Sequence, residues 1–350
     1  MRYPKDLQEG GCIGFPAPSF GCAIEPYKTA FQNSLKKWKA KGYITTPGPN
    51  AYAMEGIGIS NAPPKCGEEF MQMYLSKETD VLISCGGGEL MCEILDYVDF
   101  EALREAEPKW FMGYSDNTNL TYLLATLSDV ASIYGPCAAA FGMEPWHPAI
   151  EDAYELLLGK KRTMKGYELW EKESLKDEEH PLLPYNVTEP RAFKIYDGKR
   201  FYESAKECPE TIKIQGRLLG GCVDCLVTFL GTKYDKTTEF ADKYEEDGIL
   251  WFLEACDINN LSTRRAMWQM EHADWFKNVK GFLIGRPRNG EPIMGLDSYK
   301  AVLDVIEKYH VPVIFDVDIG HLAPMMPLVV GSLAEVKVDG NDIEINMKYE

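Results

Sequence analysis

No stretch of this sequence approaches the roughly 20 consecutive apolar residues that span a bilayer, which excludes a helical membrane protein. The opening segment, MRYPKDLQEGGC, has no apolar core, so no secretory leader is expected. Basic residues are scarce beside acidic ones: 37 Lys and Arg face 54 Asp and Glu, a formal net charge of −17. A general phosphate-backbone binder needs a basic surface, so nucleic acid is excluded as a partner and a small substrate is expected. Cysteine is not rare, but the ten are scattered along the chain rather than arrayed as a small disulfide scaffold. That usage suits a reducing cytoplasm. Neither glycine-rich phosphate motif, G-x-G-x-x-G or G-x-x-x-x-G-K-[ST], is present, and no internal repeat or low-complexity segment is found.

What is present is an ordinary globular composition, 45% hydrophobic and 26% charged over 350 residues, enough for two domains of about 100–200 residues. Strands are predicted at 11–17 (GCIGFPA), 80–88 (DVLISCGGG), 109–114 (KWFMGY) and 131–136 (ASIYGP), with helical patterns between them. One of those patterns, ELMCEILDYVDFEALREA, alternates at helical spacing. Strands alternating with helices, with glycines after strands, imply a mostly parallel sheet covered by helices. The texture changes over 166–190, which is charged, proline-bearing and aperiodic; it reads as a connector, or as a ligand-facing lid through Trp170 and Tyr185. The boundaries are then 1–165 for an N-terminal α/β domain, 166–190 for the connector and 191–350 for a C-terminal domain. That second half offers strands at 248–254 (GILWFLE), 281–286 (GFLIGR) and 311–318 (VPVIFDVD), and a helix capped by Ser262. Asp339-Gly340 between alternating runs signals a closing β-hairpin.

The chemistry is best sought at strand ends, where open α/β sheets bind ligands. KWFMGYSDNT turns from strand to helix at Ser115. A serine there is either the helix N-cap or a nucleophile at an elbow. The corner departs from G-x-S-x-G because Asn117 takes the second glycine's place. A serine nucleophile needs a base and a group that orients it. Of the five histidines, His147, His180, His272 and His310 fall in loops, inside a helix or at a helix end, whereas His321 follows an apolar strand through FDVDIGH. Glu254 closes ILWFLE, and a carboxylate ending a buried strand needs a partner: Arg264 or Arg265 nearby, or the imidazole of His321. Ser115, Glu254 and His321 also stand in one of the known chain orders of serine hydrolases. Glycines 86–88 offer backbone amides, and an oxyanion hole from Gly87 or Gly88 with Asp116 is the reading preferred over a phosphate cradle. Cys222 and Cys225, a lone C-x-x-C, form either a redox pair or two thiols of a buried helix.

The stretches IGFPAPS, GGGELMCEILDYVDF, GYSDNT, GRLLGGCVDCL, ILWFLE and DIGHLAPMMPLVVGS occur in this order over most of the chain. Together they resemble a serine peptidase family that holds cytoplasmic L,D-carboxypeptidases acting on murein tetrapeptides and microcin C self-immunity peptidases. The resemblance implies a Rossmann-like or flavodoxin-like N-terminal domain, a smaller C-terminal α/β domain and a homodimer, with no metal or organic cofactor. It implies Ser115 as nucleophile, His321 as general base, Glu254 as its orienting acid, and amides near Gly88 and Asp116 as the oxyanion hole. Murein-specific members often carry an arginine before the glycine pair and an aromatic after it, where this chain has Gly86 and Glu89. The long connector resembles the microcin-immunity branch, in which a loop tryptophan stacks on a nucleobase; Trp170 is the candidate here, or else a surface-packed side chain. The expected activity is amide hydrolysis in a small peptide-like or aminoacyl-nucleotide substrate, with release of terminal D-Ala from murein tetrapeptide next. A non-catalytic small-ligand binder is the alternative from another class.

Overall fold

The computed structural model describes residues 1–349, which fall into two compact units. The first comprises Met1–Lys161, Glu173–Asn186 and Pro327–Val329. Its strands are β1 (Cys12–Phe15), β2 (Ile44–Pro47), β3 (Val81–Ile83), β4 (Trp110–Gly113) and β5 (Ser132–Tyr134). These five run parallel in the order 2-1-3-4-5, with residues 328–330 added beyond β5. That is the flavodoxin-like doubly wound order, whose direction of winding reverses between β1 and β3. The helices are α1 (Tyr27–Ala40), α2 (Pro63–Leu75), α3 (Phe100–Glu105), α4 (Thr118–Ser128) and α5 (Pro148–Leu157). Ala30, Phe31, Ser34 and Trp38 line the buried face of α1 at helical spacing, and Lys37 and Lys39 sit in its last turn, where the helix dipole favours cations.

The helical spacing over residues 89–106 is realised as two pieces. A 3₁₀ turn covers Met91–Tyr97, the chain then extends at Val98, and Asp99 starts α3 by accepting the amides of Glu101 and Ala102. An aspartate competes for free amides better than it continues a helix, so it restarts one.

The second unit comprises Arg162–Lys172, Val187–Met326 and Val330–Glu350, the last residue lying outside the described ones. Short strands come first: β6 (Thr163–Lys165), β7 (Leu169–Trp170), β8 (Glu189–Pro190), β9 (Lys194–Tyr196) and β10 (Phe201–Tyr202). The core strands are β11 (Ile212–Cys222), β12 (Ile249–Glu254), β13 (Val279–Gly285) and β14 (Val313–Val317). They are parallel and flanked by antiparallel neighbours in the order 10-9-14-13-12-11-16-17-6, where β15 is the 328–330 strand, β16 is Leu333–Asp339 and β17 is Asp342–Lys348. Asp339 pairs with Asp342, so the hairpin turn is Gly340-Asn341, one residue on from the expected Asp-Gly. Within the 166–190 segment, β7 and β8 pair as an antiparallel ribbon.

Helices α6 (Val223–Phe229), α7 (Thr237–Lys243), α8 (Asn260–His272) and α9 (Ser298–Ile306) cover this sheet. Trp251 of β12 stacks on Trp275 at 6.0 Å between ring centres, and both are fully buried. The cap of α8 is Asn259 rather than the expected Ser262: its side chain accepts the Ser262 amide at 3.1 Å. Asparagine reaches the orphan amide three residues on, which leaves Ser262 inside the first turn. Asn259→Ala should therefore cost about 1 kcal/mol in a urea unfolding curve, against less than about 0.5 kcal/mol for Ser262→Ala. Equal losses would return the cap to Ser262.

Candidate active site

Ser115 stands directly after β4 at φ 62°, a left-handed conformation that a serine seldom adopts. Its amide donates to the Tyr134 hydroxyl at 3.2 Å. The corner is braced from below. The Asn117 amide group donates to the carbonyls of Gly86 and Tyr114 at 2.8 and 3.1 Å. Gly113 makes room for that side chain, since a Cβ there would lie 2.7 Å from Asn117 Cγ. A 3₁₀ turn over Ser115–Asn117 leads into α4, whose N-cap position is Asn117, and the Asn117 side chain makes no capping bond. It is half-buried, at the mouth of the corner.

Gly86, Gly87 and Gly88 follow β3 alongside. A side chain on Gly87 would meet Ser115 Cβ at 3.2 Å and Oγ at 3.4 Å, tighter than most side chains pack, so glycine eases the close approach of the two segments. The Gly87 carbonyl accepts the Phe20 amide at 2.8 Å. The amides of Gly87 and Gly88 donate to no protein acceptor among the described residues. Asp116 is buried, and its carboxylate accepts Ser19 Oγ at 2.5 Å, the Met91 amide at 3.0 Å and Asn119 Nδ2 at 3.1 Å. Burial pushes the Asp116 carboxyl up to about 6, which leaves it ionised at neutral pH.

In the second unit Glu254 ends β12 with its side chain wholly buried, and its Oε2 lies 2.9 Å from His321 Nδ1. Neither Arg264 nor Arg265 takes the role of its partner: Arg264 pairs with Asp304, and Arg265 donates to Ser262 Oγ. A carboxylate at Nδ1 sets the tautomer, leaving the lone pair of the neutral ring on Nε2. Burial opposes a charge on His321. The Glu254 charge, with hydrogen bonds to Cys256 and Glu254, outweighs it and raises the imidazole to about 10.

The loop that carries His321 is closed at its base, where the Met326 amide donates to the Asp318 carbonyl at 2.7 Å. The Asp318 side chain accepts Arg286 Nη2 at 2.6 Å and the Tyr167 amide at 2.8 Å. Gly320, at φ 102°, passes over the acid: a Cβ there would fall 2.6 Å from Glu254 Oε2. Upstream, the register of β14 slips at Asp316, which has φ 64° and accepts a hydrogen bond from Tyr299 Oη at 2.9 Å. The slip is a bulge, the common means of re-aiming residues at a strand end.

The other residues singled out by the sequence lie elsewhere. His147 accepts the Ala149 amide as the N-cap of α5, and exposed His180 pairs with Asp177. Half-buried Trp170, on β7, lies over the Arg286 guanidinium at 5.1 Å. Cys222 ends β11 and Cys225 lies in α6; both are thiols, and the hydrogen bond with Cys225 together with burial holds the Cys222 thiol well above its ordinary range. A thiol so protonated is a poor redox nucleophile. Three contributors were not singled out in the sequence: Ser19 and Asp224, which lie within the stretches of family resemblance, and Cys256. Asp224 accepts the amides of Cys256, Asp257 and Ile258 at 3.1, 2.9 and 3.1 Å and so holds the turn that follows Glu254.

A serine on a strained strand-to-helix corner, and a carboxylate–imidazole pair at strand ends, are residue types that serine hydrolases employ. Family comparison agrees: residues 13–135 match the LD-carboxypeptidase N-terminal domain and residues 215–336 its C-terminal domain. The chain belongs to the LD-carboxypeptidase family of serine peptidases. It is 24% identical to the Microcin C7 self-immunity protein MccF of Escherichia coli, over 98% of this chain and 95% of that protein. It is also 24% identical to a probable murein peptide carboxypeptidase of Bacillus subtilis strain 168, over 95% of this chain and 90% of that one. The fold matches the structure of MccF in complex with aspartyl sulfamoyl adenosine with a TM-score of 0.77, at 21% identity, covering 100% of this chain and 99% of that one. No helix among the described residues is long and apolar enough to cross a membrane.

The pair sets a pH signature. A folded-state value above the unfolded value of about 6.5 means that the imidazolium's stabilisation is complete below about 6.5 and is lost as pH rises through the folded value. In an NMR titration His321 should still be protonated at about pH 8, and Glu254→Gln should lower its pKa by more than about one unit. An imidazole titrating near 6.5 in both proteins would remove the ion pair.

Proposed function

We propose that Ser115, His321 and Glu254 act as nucleophile, general base and orienting acid in hydrolysing an amide bond near the carboxyl terminus of a small peptide-like substrate. The observation that carries this reading is the 2.9 Å bond between His321 Nδ1 and the buried Glu254 carboxylate. His321 Nε2 takes the Ser115 proton as the hydroxyl attacks the carbonyl carbon. The amides of Gly87 or Gly88 and of Asp116 receive the developing oxyanion. His321 then protonates the leaving nitrogen, and water, deprotonated by the same imidazole, releases the acyl group and restores the serine.

The preferred substrate class is an aminoacyl or peptidyl nucleotide analogue, with Trp170 stacking on its base. Two things support it: the MccF relative solved with aspartyl sulfamoyl adenosine, and the Trp170 ring braced on the Arg286 guanidinium. A murein tetrapeptide losing its terminal D-Ala is the second reading, supported by the similarity to the probable murein peptide carboxypeptidase. The reading includes a cytoplasmic site of action, supported by ten scattered thiols, and a homodimer, supported by the family resemblance.

One mass-spectrometric assay should hold murein tetrapeptide and an aminoacyl-sulfamoyl adenylate together, with Ser115→Ala as control. The variant should lose about 10³-fold or more in kcat while keeping its fold. Turnover close to wild type would end the role of Ser115, and no turnover of either substrate by the wild type would favour a small-ligand binder. Loss of D-Ala alone would select the murein reading. Because the base must first shed its proton, kcat/KM should rise with pH, and Glu254→Gln should move that rise to lower pH while cutting kcat.

A further inference from the structure

The proposed oxyanion hole draws its donors from two segments: the glycines after β3, and Asp116 after β4. Oxyanion donors work only within about 2.7–3.1 Å of the developing charge, and a misplacement of about 1 Å costs on the order of 10²-fold. Asn117 ties the two loops once, through the Gly86 carbonyl at 2.8 Å, but that bond lies one residue away from the donors on either side. A third segment joins them here. Ser19, in the turn after β1, is wholly buried and donates its hydroxyl to Asp116 Oδ2 at 2.5 Å. Ser19 Oγ also sits against the backbone of Gly88, where a Cβ would lie 2.2 Å from it. The next residue, Phe20, donates its amide to the Gly87 carbonyl, and the Ser19 carbonyl accepts the Ser60 amide at 2.8 Å.

The other partners of the carboxylate complete the tie. Asp116 Oδ2 also takes the Met91 amide, three residues past Gly88, while Oδ1 takes Asn119 Nδ2 in the first turn of α4. One ionised, acceptor-only group thus gathers the turn after β1, the exit from the glycines and the start of α4. We infer that Ser19 and the Asp116 carboxylate are positioning residues, a clamp that fixes the glycine amides and the Asp116 amide at the separation an oxyanion requires. This rests on the reading of Ser115 as nucleophile. Neither side chain touches the substrate; both act through the backbone they hold.

A fluorophosphonate probe tests the clamp without knowledge of the substrate, because its attack by serine builds negative charge on a phosphoryl oxygen. Wild type and Ser115→Ala come first: labelling of both alike would overturn the nucleophile and the clamp together. With Ser115 established, Ser19→Ala should lower the second-order labelling rate by about 10- to 100-fold, with the melting temperature within a few degrees of wild type. Asp116→Ala should do the same, and the double variant should lose no more than the worse single one, as expected of two parts of one device. Should Asp116→Ala fail to fold, the Ser19 arm stands alone. In a Ser115→Cys background, alkylation of residue 115 by iodoacetamide forms no oxyanion, so Ser19→Ala should leave that rate within about twofold. A Ser19→Ala labelling rate within about twofold of wild type would overturn the clamp and spare the nucleophile. So would equal loss in the labelling and alkylation reactions, since that would mean a displaced residue 115, or losses that multiply in the double variant.

Discussion

A carboxylate at the end of five apolar residues is an expensive thing to bury, and the second unit is arranged around meeting that expense at Glu254. Its side chain is wholly enclosed, and the imidazole of His321 stands 2.9 Å away. A pair of this kind adds little net stability, because desolvating both groups offsets most of their attraction. What it does supply is position. The imidazole has one orientation in which Nδ1 meets the carboxylate, and that orientation needs glycine at 320 and 285, where a Cβ would lie 2.6 Å from Glu254 Oε2 and 3.0 Å from Glu254 Cβ. The Asp318–Arg286 pair and the Met326–Asp318 backbone bond then hold the ends of the loop that brings His321 back.

Both units turn the chain at strand ends by the same device. Ser115 at φ 62° and Asp316 at φ 64° are non-glycine residues in left-handed conformations, each costing on the order of 1–3 kcal/mol. Each is held by a tyrosine hydroxyl on a neighbouring element, Tyr134 for the serine amide and Tyr299 for the aspartate side chain. In the first unit the strain lifts Ser115 out of the strand direction. In the second it inserts an unmatched residue, so that everything after Asp316 is re-aimed. A glycine would relieve either position, but it would also free the corner to move. At Asp316 the side chain is the tighter constraint, because Tyr299 bonds it from outside, whereas the Ser115 tie runs through its backbone amide.

How legible this was in the sequence depended on burial. The central strands announced themselves as short apolar runs, and Glu254 directly after ILWFL and His321 shortly after VIFDV were conspicuous because they are chemically out of place there. β2 did not, since ITTP is an edge strand, half-buried at one residue and exposed at the rest, with no alternation to detect. α2 opens on Pro63-Pro64, which reads as a turn although proline suits a helix's first positions. β6 to β10 are two or three residues each and take their conformation from their neighbours rather than from any pattern of their own. Ser19 was invisible for a different reason. APSF is an ordinary turn composition, and nothing local says that its hydroxyl will meet a carboxylate 97 positions later. Function carried by a hydrogen bond between distant loops leaves no periodicity to read.

The three glycines after β3 show how packing and chemistry converge at one position. Read alone, CGGGE suggests close approach by a ligand, and phosphate is the usual candidate. The structure supplies a nearer cause. In the order 2-1-3-4-5 the connections from β1 and β3 leave on opposite sides, so the turns that follow these strands meet at the reversal. Gly88 faces Ser19 at a distance that excludes a side chain, and Gly87 faces Ser115 at one tighter than most side chains pack. Neighbouring chain already accounts for the missing side chains, so no phosphate is needed to explain them. Yet the same absence leaves the amides of Gly87 and Gly88 without a protein acceptor beside Ser115. A segment stripped of side chains so that three strand ends can pack is thereby a segment of unshielded donors, and the fold's demand for space yields what an oxyanion requires.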